Sequence, residues 1–218
     1  MTKVRLLITD DHDVVRQGLR LYLRRDSEIE VVGEAADGEE AVELARSLEP
    51  DVVLMDLLMP RMDGIAATEA IRAELPEVEV VALTSVLEDA SVTGAIRAGA
   101  IGYLLKDTKA EELCRAIKGA AAGQVQLAPE AAARLMREVR VPESSEDLTE
   151  RETVVLKRVA RGRANKEIAR DLFVEERTIK SHVTSILRKL GVKSRTQAAL
   201  YAVRTGLITV DELSEEPW

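Results

Sequence analysis

Short, nearly continuous apolar runs alternate with amphipathic stretches over residues 1–122. The runs are Val4–Thr9, Ile29–Glu34, Asp51–Met55, Val78–Thr84 and Gly102–Leu105. A segment apolar at almost every position suits a strand covered on both faces, because successive side chains point to opposite sides of a sheet. The intervening stretches are helical in period. In Glu39–Leu48, Ala41, Val42, Leu44, Ala45 and Leu48 fall close to an i, i+3, i+4, i+7 stripe, with Asp37-Gly38 and Pro50-Asp51 at its ends. Five strand–helix units in succession predict an α/β fold with a five-stranded, doubly wound parallel sheet and helices on both faces. In such a sheet a site lies outside the carboxyl ends of the strands.

The alternation stops after residue 122. Residues 123–147 read as a linker: Pro129 and Pro142 flank a short helical piece, Glu130–Val139, and Pro142-Glu143-Ser144-Ser145-Glu146-Asp147 follows. From Leu148 to residue 208 only helical patterns occur, over Thr149–Ala160, Lys166–Phe173, Glu176–Leu190 and Arg195–Thr205. Gly162, Gly191 and Gly206 act as stop signals. Thr149 with Glu152 forms a capping-box pattern, and Asn165 is a candidate N-cap. The chain therefore divides into an α/β domain (1–122), a linker (123–147), a small all-α domain of four helices (148–208) and an acidic, frayed tail (209–218).

Composition sharpens this division. Aromatic residues are only 2% of the 218, so both cores must be aliphatic. The net charge of −8 conceals an asymmetry: residues 1–124 carry −10 and residues 148–206 carry +8. An acidic first part joined to a basic second part suggests that the second part meets nucleic acid. No apolar run approaches the roughly 20 residues of a membrane span, and the N-terminus lacks the build of a signal peptide. A single cysteine, Cys114, sits in an apolar helical run and reads as a small core residue. These features predict a cytoplasmic protein with no membrane partner.

Candidate chemistry clusters at the strand ends. Asp10 and Asp11 follow the first strand, Asp56 ends the third, Thr84 the fourth and Lys106 the fifth. Three carboxylates brought together repel unless a cation lies between them, and hard oxygen ligands suit Mg²⁺. A central aspartate could then act as nucleophile on a phosphoryl group, with metal, lysine and hydroxyl offsetting the developing charge. Thr9-Asp10-Asp11-His12, Leu54-Met55-Asp56-Leu57-Leu58-Met59-Pro60-Arg61-Met62-Asp63-Gly64, Leu83-Thr84 and Gly102-Tyr103-Leu104-Leu105-Lys106-Asp107 resemble the receiver domain of two-component response regulators, which is flavodoxin-like in fold. The resemblance implies that Asp56 accepts a phosphoryl group from a sensor histidine kinase. It implies that Asp11, Asp56 and the Leu58 carbonyl ligate Mg²⁺ directly, and that Asp10 acts through a water. It gives Lys106 and Thr84 the phosphoryl oxygens, and it makes Tyr103 a rotamer switch. Asp107 stands where many receivers have proline, which narrows the resemblance to the NarL/FixJ branch.

In the helical part, Ile179, Val183, Ile186, Leu187 and Leu190 make one stripe of a basic amphipathic helix that follows a short helix and a tight turn. That is a helix-turn-helix, whose second helix enters the major groove. Leu148-Thr149-x-Arg151-Glu152, Asn165-Lys166-Glu167-Ile168-Ala169, Thr178-x-Lys180-x-His182-Val183, Lys189-Leu190-Gly191-Val192 and Arg195-Thr196-Gln197-Ala198 resemble the LuxR-type DNA-binding domain. By position in that domain, Lys180, Ser181 and Thr184 face base edges, and Arg188 projects from the same helix. Asn165, Lys166, Thr178, His182, Arg195 and Thr196 serve backbone contact or packing, and Lys189 either a phosphate or solvent. The resemblance makes Arg195–Thr205 a dimer contact, with a homodimer formed on phosphorylation and RNA polymerase as a further partner.

Together these readings predict a phosphorylation-activated transcriptional regulator. The alternative is a DNA-binding regulator with a vestigial receiver. An enzyme reading is weaker: phosphohydrolases that pass through a phosphoaspartate place a second aspartate two residues on as general acid, and here that residue is Leu58. Only self-limited formation and hydrolysis of the phosphoaspartate is expected. A small-molecule-sensing LuxR-type regulator would need a ligand cavity where this chain carries an acidic pocket. The opposite charges of the two parts also predict that they dock before phosphorylation and cover Thr178–Leu190.

Overall fold

The structure, a computed structural model, describes residues 3–85, 89–127 and 147–208. The first part follows the expected order: β1 (Val4–Thr9), α1 (Asp13–Leu23), β2 (Ile29–Ala35), α2 (Gly38–Leu48), β3 (Val52–Asp56), α3 (Gly64–Glu74), β4 (Glu79–Thr84), α4 (Asp89–Ala98), β5 (Gly102–Leu105) and α5 (Ala110–Ala121). All strands, including a short β6 (Gln126–Leu127), pair in parallel, in the order β2-β1-β3-β4-β5-β6. β1, β3 and β4 are buried on both faces, which is why their sequences lack alternation. One aliphatic layer packs Leu6, Ile8, Val52, Leu54 and Val81 against Leu113 and Ile117 of α5. The other packs Leu7, Val53, Met55 and Val80 against Ala41, Ala45, Ala67 and Ile71 of α2 and α3. Cys114 is buried in the first layer, as its apolar setting predicts, and burial pushes its thiol pKa up.

One strand departs from the expected five. Gln126–Leu127 forms β6, which pairs with β5 at Gly102 and Tyr103. The reading of residues 123–147 as linker missed it because two residues carry no periodicity, and the open edge of β5 supplies the hydrogen-bonding partner. The expected helix Glu130–Val139 and the tail 209–218 lie outside the described residues.

The helical part comprises α6 (Glu150–Ala160), α7 (Asn165–Asp171), α8 (Glu176–Leu190) and α9 (Arg195–Arg204) around a core of Val155, Leu156, Ile168, Ile179, Ile186 and Leu190. The capping box at Thr149 is present: the Glu152 amide bonds Thr149 Oγ1, and the Thr149 amide bonds Glu152 Oε2 at 2.8 Å. Asn165 is not an N-cap. Ala164 takes that position, its amide bonded by Glu167 Oε2 at 2.8 Å, and Asn165 is the first helical residue. Gly191 ends α8 in the left-handed region at φ 64°, where a side chain would be strained.

Glu152 is more than a cap. Buried at 5% exposure, it also accepts from Ser185 at 2.7 Å and from Lys189 Nζ at 2.8 Å, so it ties α6 to α8. Burial opposes its charge, but these donors, Lys189 foremost, hold its carboxyl down at about 2. A carboxylate with a depressed pKa contributes stability above its unfolded value, and that contribution is lost as pH falls through the folded value. Glu152→Gln should therefore lower stability at pH 7 by on the order of 3 kcal/mol. The gap from wild type should close between about pH 5 and pH 2. Urea unfolding at several pH values checks this; a pH-independent gap contradicts it.

Candidate functional site: an acidic pocket and a docked helix-turn-helix

At the carboxyl edge of the sheet, β1, β3 and the turn after β5 bring Asp10, Asp56 and Lys106 together. Asp10 is 1% exposed and Asp56 2%. The Lys106 ammonium lies between them, 2.7 Å from Asp10 Oδ2 and 2.6 Å from Asp56 Oδ2. Its backbone amide is anchored at 2.8 Å to the carbonyl of Thr84, which is itself buried at the end of β4. Asp56 Oδ1 accepts the Leu58 amide at 3.3 Å, and Asp10 Oδ1 accepts the His12 amide at 2.8 Å. Asp11 is exposed at the rim, with Oδ1 2.7 Å from His12 Nδ1. One ligand atom from each of Asp10, Asp11, His12 and Asp56 lies within 4.8 Å of the others. Gly64 makes room for the loop: a Cβ there would stand 1.9 Å from the Asp56 carbonyl oxygen, so a side chain would displace the phosphoacceptor candidate.

The electrostatics follow from burial. Desolvation raises the Asp56 pKa, with Lys106 opposing and Asp10 reinforcing. Burial acts to lower that of Lys106, but its bonds to Asp10 and Asp56 carry it upward. Three carboxylates against one ammonium leave the pocket with two negative charges in excess. Leu58 lies on the exposed loop beside Asp56, and Tyr103 is fully buried among Leu57, Ala82, Val92, Ala95, Ile96 and Ala100. His12 stands in the motif without a role in the sequence reading. What brings it to the pocket is the turn from β1 into α1, which periodicity does not resolve.

In the helical part Ile179, Ile186 and Leu190 of α8 are buried and Val183 and Leu187 partly so, as their stripe predicts. Lys166, Lys180, Ser181, Thr184 and Arg188 are exposed, and Thr178 and His182 half-buried. Other DNA candidates point inward. Lys189 is held by Glu152 and by the Asp147 carbonyl. Arg195, 3% exposed, donates to Asn165 Oδ1 at 2.6 Å and to the Arg163 carbonyl. Thr196 is 1% exposed. Packing is the role that Asn165, Lys189, Arg195 and Thr196 have in this arrangement.

Residues 6–118 match the response regulator receiver domain family, and residues 146–202 match the bacterial regulatory proteins of the luxR family. The chain belongs to the LuxR-type response regulators. It is 46% identical over 209 residues to the transcriptional regulatory protein LiaR of Bacillus subtilis, covering 94% of this chain and 99% of that one. The crystal structure of the response regulator ChrA of a heme-sensing two-component system is similar at a TM-score of 0.54 and 38% identity, over 95% of this chain and 100% of that one. A structure of two RcsB dimers bound to two parallel DNAs is similar at 0.56 and 26% identity, again over 95% and 100%.

This response regulator has its helical domain docked on the receiver. Thr196 Oγ1 donates to the Ile101 carbonyl at 2.8 Å and Ser194 Oγ to the Ile96 carbonyl at 3.4 Å. Leu200 of α9 is buried in the same cluster as Tyr103. The Asn165 amide donates to the Ala122 carbonyl at 3.1 Å. Gly123 permits that approach: its φ is +75°, and a Cβ there would lie 2.7 Å from Asn165 Nδ2. A cleft of about 60 Å³ separates Lys180, Thr184 and Leu187 of α8 from Arg72, Glu77 and Glu79 of the receiver. Burial lowers the Arg195 pKa to about 10, with the charge of Glu79 opposing. The two parts are docked, but α8 is not covered as expected: Lys180, Ser181, Thr184 and Arg188 stay exposed, and two hydroxyl-to-carbonyl bonds and one buried leucine join the parts. Charge pairs such as Lys193 with Glu69 and Lys180 with Glu77 are exposed at the rim.

Burying a leucine is worth roughly 2 kcal/mol, so Leu200→Ala should loosen the docking. The unphosphorylated variant should bind DNA about tenfold more tightly than wild type, approaching the isolated fragment 144–218. Fluorescence anisotropy at low salt measures both. Equal affinity of the wild-type chain and the fragment would mean that docking does not restrain binding.

Proposed function

We propose that this response regulator is switched by phosphorylation of Asp56 and, once switched, regulates transcription as a DNA-bound dimer in the cytoplasm. The observation that carries the reading is the Lys106 ammonium held at 2.6–2.7 Å from two buried aspartates at the carboxyl edge of the sheet. Such a group does not stabilise the fold cheaply, and it is placed where the oxygens of a transferred phosphoryl group need a cation.

An Asp56 carboxylate oxygen attacks the phosphorus of a phosphohistidine on the sensor kinase. The P–N bond breaks, the imidazole departs and an acyl phosphate forms. Lys106 then exchanges its contact with the Asp56 carboxylate for one with a phosphoryl oxygen, and the Thr84 hydroxyl bonds another. The pocket's two excess negative charges and its convergent oxygens fit Mg²⁺; Asp11, Asp56 and the Leu58 carbonyl would hold it directly and Asp10 would act through a water. When bound, that cation neutralises charge on the transferred group. Hydrolysis returns the carboxylate and inorganic phosphate, and no other turnover is proposed. Tyr103 and Leu200 share one cluster, so a change at Thr84 and Tyr103 reaches the docked helix directly. Release frees α8 from the receiver wall that Lys180 and Thr184 face across the cleft, so that the helix can enter the major groove with Lys180, Ser181 and Thr184 toward base edges. A dimer is supported by the likeness to the DNA-bound RcsB dimers, and RNA polymerase is the partner through which such a dimer would act. The completeness of the pocket favours this reading over a vestigial receiver.

Asp56→Asn keeps the shape and removes the nucleophile. Incubated with acetyl phosphate and Mg²⁺, wild type should gain one phosphoryl group by mass spectrometry and the variant none; full uptake by the variant would displace the assignment. Lys106→Ala should accept some phosphoryl group and lose the phosphorylation-driven gain in DNA binding.

At the start of α8, Glu175 occupies the N-cap without a side-chain cap bond, and its carboxylate pairs with Arg177 at 2.5 Å. It therefore holds an exposed arginine that would otherwise meet phosphate and sets a negative charge at the helix end where phosphate would sit. Glu175→Ser should tighten binding of fragment 144–218 to specific and scrambled duplexes alike, more at low salt. Unchanged or weaker binding at both salt concentrations would show the pair pointing away from DNA.

A further inference from the structure

Of the three carboxylates in the pocket, two are held by several donors. Asp10 has Lys106 and the His12 amide, and Asp56 has Lys106 and the Leu58 amide. Asp11 is exposed at the rim, and among the described residues the group within bonding distance of its carboxylate is the His12 imidazole. His12 Nδ1 stands 2.7 Å from Asp11 Oδ1 and 3.3 Å from Asp10 Oδ1. Two lone pairs cannot share such separations, so Nδ1 carries the hydrogen and faces both acids.

The ordinary structural duties of this side chain are unfilled. His12 is the N-cap of α1, yet its side chain makes no capping bond. At 67% exposure it is not part of a core. Its amide already fixes Asp10, and any residue would supply that amide. What the imidazole adds is a hold on Asp11.

We propose that His12 is a positioning residue for the divalent cation: its Nδ1–H fixes the Asp11 carboxylate toward the pocket, so that Asp11 meets the cation already oriented. The inference rests on the cation reading given above. An imidazole N–H donor suits the task, because a lysine or arginine in its place would bring a permanent charge that opposes the cation. Donors of this kind behind metal ligands typically contribute tenfold or more to affinity. The arrangement also leaves Asp11 Oδ2 without a partner among the described residues, directed by the bond at Oδ1.

The test is Mn²⁺ binding to the full, unphosphorylated chain, read from the free-ion signal in electron paramagnetic resonance. His12→Ala should weaken Mn²⁺ binding by about tenfold. His12→Asn, whose amide carries an N–H close to the place of Nδ1, should stay within about threefold of wild type. His12→Ala should also raise the Mg²⁺ concentration that half-saturates phosphorylation by acetyl phosphate, by a larger factor than it lowers the plateau rate. Circular dichroism melts without metal confirm that each variant is folded. Equal Mn²⁺ affinity of wild type and His12→Ala overturns the inference while the cation reading stands. His12→Asn binding as weakly as His12→Ala overturns it too, since the donor would then not be what matters. Failure of wild type to bind Mn²⁺ better than Asp56→Asn would instead remove the cation reading beneath it.

Discussion

A single ammonium holds two buried carboxylates at the edge of the sheet, and much of the molecule is arranged around that fact. Asp10 and Asp56 sit at the ends of adjacent strands, where parallel pairing forces them together. Without Lys106 between them their repulsion in a dry setting would favour protonation or local opening. The lysine is delivered by a third strand and anchored through its own amide to a fourth, at Thr84. Four strands thus converge on one charge arrangement, and a shift in any of them is felt by the others.

The helical domain treats its charges differently. Its general excess of lysine and arginine is a surface property, but several basic side chains are drawn inward. Glu152 captures Lys189 to join α6 to α8, and Arg195 is enclosed among neutral partners, with the Glu79 carboxylate of the receiver as the nearby opposing charge. Docking is therefore more than attraction of an acidic body for a basic one. Attraction across an exposed rim is screened by salt, whereas the bonds of Ser194 and Thr196 to receiver carbonyls and the burial of Leu200 are short-ranged and specific. They place α9 against the cluster that contains Tyr103, so the docked domain touches the receiver at the residue proposed as its rotamer switch.

Much of the fold was legible because burial on both faces leaves a plain trace. β1, β3 and β4 read as unbroken apolar runs, and the helices of the second part announced themselves by stripes, a capping box and terminal glycines. The errors have physical causes. β6 is two residues long and exists because β5 offers an unpaired edge. Asn165 has the chemistry of an N-cap, but the helix begins one residue earlier because Glu167 bonds the Ala164 amide and Arg195 claims the Asn165 side chain. Local preference yielded to a partner 30 residues away.

The sequence by itself determined the α/β order, the division into an acidic and a basic part, the aliphatic cores and the aspartates, threonine and lysine at the strand ends. Each of these depends on residue type and short-range period, which a chain carries openly. Only the tertiary structure decided which charges meet. It set Lys106 between Asp10 and Asp56, 50 positions along the chain from the nearer of the two, turned His12 toward Asp11, withdrew Asn165, Arg195 and Thr196 from the surface and seated Leu200 beside Tyr103. These contacts join residues far apart in the chain, and their geometry follows from strand pairing and domain docking, for which no local pattern of polar and apolar positions holds a record.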